Sequence, residues 1–118
     1  MNDLAGQILA RVAPARYVAT YVSGRLKMAA RADLQDASSA DSDRYEELLV
    51  NPTLLKLLTQ RGDIDCGGFE YVLVRYGNFY QFVTPLQDGH VSVALDASVD
   101  LRSVIELLRA VIAEAAGR

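Results

Sequence analysis

The run VLVRYGNFYQFVTPLQDGHVSVALD, residues 72–96, decides the fold. Two turn signals cut it, Gly77-Asn78 and Asp88-Gly89. Each leaves too little chain for a crossover, so the flanking strands must run antiparallel. The reading predicts strands over Phe69–Tyr76, over Phe79–Thr84 with Pro85 near its end, and over His90–Leu95. The small and branched residues of the last suit a central strand. In the first, Phe69, Tyr71, Leu73 and Arg75 share one face, and Glu70, Val72, Val74 and Tyr76 share the other. Both faces carry apolar groups, so both must be covered, either by helices on each side or with the help of a second copy of the chain.

Toward the N-terminus, Leu4, Ala5, Ile8, Leu9 and Val12 recur at helical spacing, with Asn2 or Asp3 as cap and Pro14 as terminator. Arg16–Val22, rich in tyrosine and valine, and Arg25–Arg31, which alternates, read as two strands around a Ser23-Gly24 turn and form a hairpin. The second strand has a basic face, Arg25, Lys27 and Arg31. Asp33–Asp41 reads as a polar loop. Within the helical stretch that follows, Asn51-Pro52 predicts a break, because proline lacks an N–H and crowds the preceding turn. Two helices result, around Asp43–Leu49 and Pro52–Arg61, with a single kinked helix as the alternative. Asn51 would cap the second, and Gly62 would stop it. Asp63–Gly68 is a loop. Asp100 caps a last helix whose apolar face is Leu101, Val104, Ile105, Leu108, Val111, Ile112 and Ala115, with Gly117 at its end.

A chain of 118 residues with 51% hydrophobic and 23% charged residues fits one domain, 1–118, that folds without metal or disulfide. The net charge is −3 and no basic stripe stands out, which argues against nucleic acid. No apolar run reaches the roughly 20 residues of a membrane span. Asp3 stands where a secretory leader would be basic, and a lone cysteine suits a reducing compartment, so a cytoplasmic protein is expected.

Catalytic groups are scarce. His90 and Cys66 are the only histidine and cysteine, so neither a zinc site nor a cofactor motif emerges. Gly67-Gly68 precedes a strand, whereas phosphate-cradling glycines open a helix. Asp41, Asp43, Glu46 and Glu47 cluster where a helix starts, and favour the positive end of its dipole. Asp63 and Asp65 read as loop residues. The basic strand face reads as a solvated edge that could also steer an acidic partner.

The order of elements, together with residues 72–96, resembles the roadblock/LC7 (dynein light chain) domain family in its bacterial form. The resemblance covers nearly the whole chain. It implies an α+β sandwich with a five-stranded antiparallel sheet in the order 2-1-5-4-3, the first and last helices on one face and the middle helix on the other. It also implies a non-catalytic scaffold or regulator that forms homodimers through the middle helix and third strand, and often binds a small Ras-like GTPase. Carried onto this chain, the dimer edge is Phe69, Tyr71, Val72, Leu73, Val74 and Arg75, and the helix supplies Leu54, Leu55 and Leu58. An open apolar strand invites aggregation, and a two-fold mate removes that hazard. Roadblock middle helices are long and continuous, and Asn51-Pro52 departs from that pattern. No residue stands out as an arginine finger; Arg44 and Arg61 read as solvated. The rival reading is a small-molecule sensor of the PAS or profilin-like kind, with Tyr17, Tyr21, Tyr71 and Tyr80 lining an apolar cavity. An enzyme built on Cys66 and His90 is the third.

Overall fold

The computed structural model describes residues 3–32 and 39–115. Most of the expected Asp33–Asp41 loop, the Asn2 cap and the Gly117 stop lie outside them. The order is α1 (Leu4–Arg11), β1 (Ala15–Val22), β2 (Arg25–Ala30), α2 (Ala40–Tyr45), α3 (Asn51–Asp65), β3 (Val72–Arg75), β4 (Phe79–Leu86), β5 (Gly89–Asp96) and α4 (Leu101–Ala115). The five strands form one antiparallel sheet in the order β2-β1-β5-β4-β3. The fold class and strand order match the expectation.

Local chemistry explains most boundaries. Asp3 caps α1 through Gly6 N–H at 2.8 Å. Ser23 and Gly24 both take positive φ, 53° and 78°, which matches the twist of a two-residue hairpin. At Gly89 a side chain is impossible: a Cβ would lie 1.9 Å from the Tyr21 carbonyl oxygen.

The middle helix corrects the prediction of a break. Residues 40–65 are helical without interruption, and one π-turn, Glu46–Val50, joins α2 to α3. Asn51 is helical (φ −66°, ψ −45°), and its N–H bonds the Glu46 carbonyl five residues back. The wide turn falls immediately before Pro52. There the ring needs room and no N–H is available for the carbonyl four residues earlier. Asn51 is therefore not a cap. Gly62 does not stop the helix, which continues to Asp65, so Asp63 and Asp65 are helical and not loop residues. A Cβ at Gly62 would meet the Gly68 backbone at 2.8 Å, so this glycine permits close packing of the returning chain.

The third strand is shorter than Phe69–Tyr76. Pairing with β4 begins at Val72↔Val83. Beyond it β4 runs into Pro85, and the Thr84 hydroxyl donates to the Glu70 carbonyl at 2.6 Å in place of a strand N–H.

The sheet is covered on both faces. On one, α1 and α4 close an apolar core of Ile8, Val12, Val18, Phe82, Val91, Val93, Leu95, Leu108 and Val111. On the other, the middle helix lays Glu47, Asn51, Leu55 and Gly62 inward, a buried stripe with roughly helical spacing.

Candidate functional site

Strand alternation delivers polar groups to the second face. On β5, Val91, Val93 and Leu95 enter the apolar core, so His90 and Ser92 point the other way, joined by Gln81 from β4. All three are at most 3% exposed, and Glu47 and Asn51 of the middle helix are fully buried above them. His90 Nε2 lies 2.8 Å from Glu47 Oε1, and Asn51 Nδ2 donates to the same oxygen at 3.0 Å. Asn51 Nδ2 also reaches Ser92 Oγ at 3.4 Å, and Gln81 donates its amide N–H to that hydroxyl. Tyr17 donates to Glu47 Oε2 at 3.4 Å, and the Tyr21 ring stands edge-on to His90 at 5.9 Å. A buried carboxylate is tolerable only with such partners.

Beside this network opens an acidic cleft of about 260 Å³, between the start of the middle helix and the β3–β4 turn. Tyr17, Asp43, Glu46, Glu47, Tyr76, Phe79 and Gln81 line it. The π-turn explains how consecutive glutamates serve two partners: Glu47 reaches His90, and Glu46 accepts from Tyr76 at 3.0 Å. Burial pushes the Glu46 carboxyl up, partly offset by the Tyr76 hydroxyl, while Glu47 and Asp43 add to the rise. Burial, and then the Glu46 charge, raise Tyr76 from 10.0 to about 12. Tyr17 is raised further, by burial and then by Glu47 and Asp43. Glu46 and Glu47 thus do more than favour a helix dipole. The signal was present in the sequence as polar residues at alternate positions of β5 and at i,i+4 in the helix.

The other site residues fall as follows. Leu55 is buried in its own protomer, and Leu54 and Leu58 are half-buried. The exposed apolar residues of the middle helix are instead Tyr45, Leu48, Leu49, Leu57 and Ile64. Phe69 and Tyr71 precede β3, while Val72, Leu73 and Val74 are half-buried within it, on the edge of the sheet. Arg75 lies over the Tyr80 ring at 4.9 Å and donates to the Gly77 carbonyl at 3.1 Å. Arg25 and Lys27 are exposed on the opposite edge strand. Arg31 does not extend that basic edge, because it follows β2, donates to the Ala13 carbonyl at 3.1 Å and pairs with Asp96 at 3.4 Å.

The four tyrosines of the sensor reading do not share a cavity. Tyr17 lines the acidic cleft, Tyr21 meets His90, and Tyr71 stacks on Phe82 at 5.2 Å, on the apolar side with Tyr80. Cys66 is exposed at the end of α3, whereas His90 is buried under the π-turn, so the structure does not assemble a cysteine–histidine pair. Arg44 and Arg61 are exposed, and Arg61 is paired with Asp65 at 2.7 Å. Among the described residues, no group of three or more His, Cys, Asp or Glu could hold a metal ion, and no helix is long and apolar enough to cross a membrane.

A sheet in the order 2-1-5-4-3, with paired terminal helices on one face and a long middle helix on the other, defines a roadblock/LC7-type fold. Two solved structures show it. The gliding protein MglB from Thermus thermophilus superposes with a TM-score of 0.63 at 12% identity, over 96% of this chain and 85% of that one. MglC from Myxococcus xanthus superposes with a TM-score of 0.55, also at 12% identity, over 93% of this chain and 97% of that one. No protein-family model and no curated protein sequence matches the chain.

Proposed function

We propose that this chain is a non-catalytic, homodimeric interaction protein that binds or regulates a small Ras-like GTPase or a related cytoplasmic assembly. The observation that carries the reading is the unpaired β3 edge, Val72–Arg75, in a molecule whose middle helix also exposes Tyr45, Leu49 and Leu57. An apolar strand edge and an apolar helix face are both costly to leave in water. A second copy of the chain covers both at once in a closed two-fold dimer. The roadblock/LC7-type fold supports this arrangement, and its likeness to a gliding protein supports a role in a regulated assembly. Phe69 and Tyr71, flanking the edge, and Leu54 and Leu58, beside the exposed helix residues, belong to the same proposed surface. Leu55 does not, since its own core holds it. The GTPase is the second partner, and the exposed Arg25 and Lys27 of β2 are a candidate edge for it.

Light scattering at micromolar concentration tests the first half. Twice the mass of one chain is expected, and a strictly monomeric mass overturns the dimer. Co-purification with Ras-like GTPases in both nucleotide states tests the second half, which fails if neither state is retained.

A further inference from the structure

The two edges of the sheet differ. β3 is four residues long and mostly apolar. β2 is six residues long, contains no proline and pairs with β1 in an unbroken register. The Arg31 N–H donates to the Arg16 carbonyl at 3.0 Å, which fixes the phase of that pairing. Inward and outward bonding alternate along an antiparallel strand, so Arg25, Lys27 and Ala29 bond β1 as Arg31 does. Leu26, Met28 and Ala30 therefore turn their N–H and C=O groups to the open edge, where no strand meets them.

Side chains alternate as well. Ala29 stands opposite Val18, which enters the apolar core, so Arg25 and Lys27 lie on the α1–α4 side of the sheet. Leu26, Met28 and Ala30 lie on the side of the middle helix. There a notch of about 190 Å³ opens beside the edge, lined by Tyr17, Met28, Ala29, Ala30 and Ala40, with Asp43 of the middle helix. Arg25 and Lys27 are exposed and, among the described residues, make no hydrogen bond or ion pair. Arg11, Arg16, Arg31, Arg61 and Arg109 all pair with carboxylates.

Proteins blunt an open edge with proline, a bulge or charge, and β2 has only charge, of one sign. That sign disfavours a second copy. Antiparallel self-pairing centred on Lys27 opposes that residue to itself, and pairing centred on Met28 opposes Arg25 to Arg31; like charges directly opposite destabilise a sheet. A segment with carboxylates at the matching positions meets no such penalty. When it bonds antiparallel to Leu26, Met28 and Ala30, Arg25 and Lys27 fall at the non-hydrogen-bonded pairs, where facing side chains are closest. Resting on the reading of this chain as an interaction protein, we infer that β2 takes an extended segment of a partner protein as an added strand. Alternate residues of that segment are acidic, against Arg25 and Lys27. Those between are apolar, over Leu26 and Met28, with one side chain in the notch. β2 and β3 are opposite edges, so this partner and a second copy bind without competing.

The test adds an end-blocked peptide, Thr-Glu-Val-Glu-Val-Glu-Thr, to the isotope-labelled full chain and follows backbone amide exchange into deuterated water by NMR. In the free chain the Leu26, Met28 and Ala30 amides should exchange fast and those of Lys27 and Ala29 slowly. The peptide should slow the fast ones about tenfold or more. A peptide N-methylated at alternate residues, and a scrambled peptide of the same composition, should protect none. Arg25→Glu with Lys27→Glu, both at exposed positions, should weaken binding about tenfold. The same double variant should bind the version of the peptide with lysine for glutamate. Shifts at Arg25 and Lys27 without amide protection overturn the proposal by reducing the edge to a charged patch. Protection on β3 overturns it by placing the segment on the other edge, and equal protection by the N-methylated or scrambled peptide overturns it too. Co-purification separates the two readings. A chain that retains a GTPase yet leaves these amides unprotected removes the added strand alone, and one that binds the peptide but retains no GTPase removes the GTPase alone.

Discussion

One face of the sheet meets its helices through Phe82, Val91, Val93 and Leu95 against α1 and α4. The other face of the same strands, one residue out of phase, presents Gln81, His90 and Ser92 to Glu47 and Asn51. The first face is held by non-directional burial, which tolerates changes of shape better than changes of volume. The second is held by directional bonds, each of which fixes the middle helix at one rotation and one height on the sheet. That helix carries the exposed apolar face proposed for dimerisation and the acidic cleft. The polar face therefore sets where the middle helix sits, while the apolar face supplies the larger share of buried apolar surface.

Substitutions should separate the two faces. Phe82→Ala on the apolar face should cost about 3–5 kcal/mol in urea unfolding, from lost burial and the cavity left behind. His90→Leu on the polar face should cost about as much, roughly 3–5 kcal/mol, because buried Glu47 loses its ionic partner and keeps only Asn51 and Tyr17. The double change Glu47→Leu with His90→Leu should recover most of that loss. A double change on the apolar face, Phe82→Ala with Leu108→Ala, should recover nothing. If the polar double variant is as unstable as the single one, the pair is not the main reason for the cost. Smaller effects are expected at the surface. Leu57→Glu, at a residue 59% exposed, should halve the solution mass and leave the far-ultraviolet circular dichroism unchanged. It is a cleaner probe than Leu73→Glu, because Leu73 also packs on the core.

The smallest effect is a titration. Tyr76 is raised from 10.0 to about 12, by burial and then by Glu46. A raised folded-state value means that its contribution to stability is complete below about 10 and is lost as pH rises toward about 12. Ultraviolet titration of Glu46→Gln should show one tyrosine moving down toward 10.0. An unchanged titration would remove Glu46 as a cause of the shift.

Much of the fold is legible in the sequence because its signals are local. Turn dipeptides at Ser23-Gly24, Gly77-Asn78 and Asp88-Gly89 set the hairpins, and strand alternation and helical spacing set the faces. The middle helix departs from its sequence reading for an equally local reason: Pro52 argues for a break, and no local rule states that one π-turn can absorb it. The site is half legible. The alternation of His90 and Ser92 is visible, but Glu47 lies 43 residues from His90, and nothing near either names the other.

By itself, then, the sequence determined where the five strands fall to within a few residues, their antiparallel hairpins and the scarcity of catalytic groups, because backbone propensity and patterning act over a few residues; the order of the strands across the sheet came only with the family resemblance. Only the tertiary structure decided that the middle helix is continuous, that Leu55 turns inward while Leu57 turns out, and that Glu46, Tyr17, Tyr76 and Gln81 enclose one cleft. Those outcomes depend on which buried groups find partners across the sheet, and pairing over such distances is settled by packing the whole domain at once.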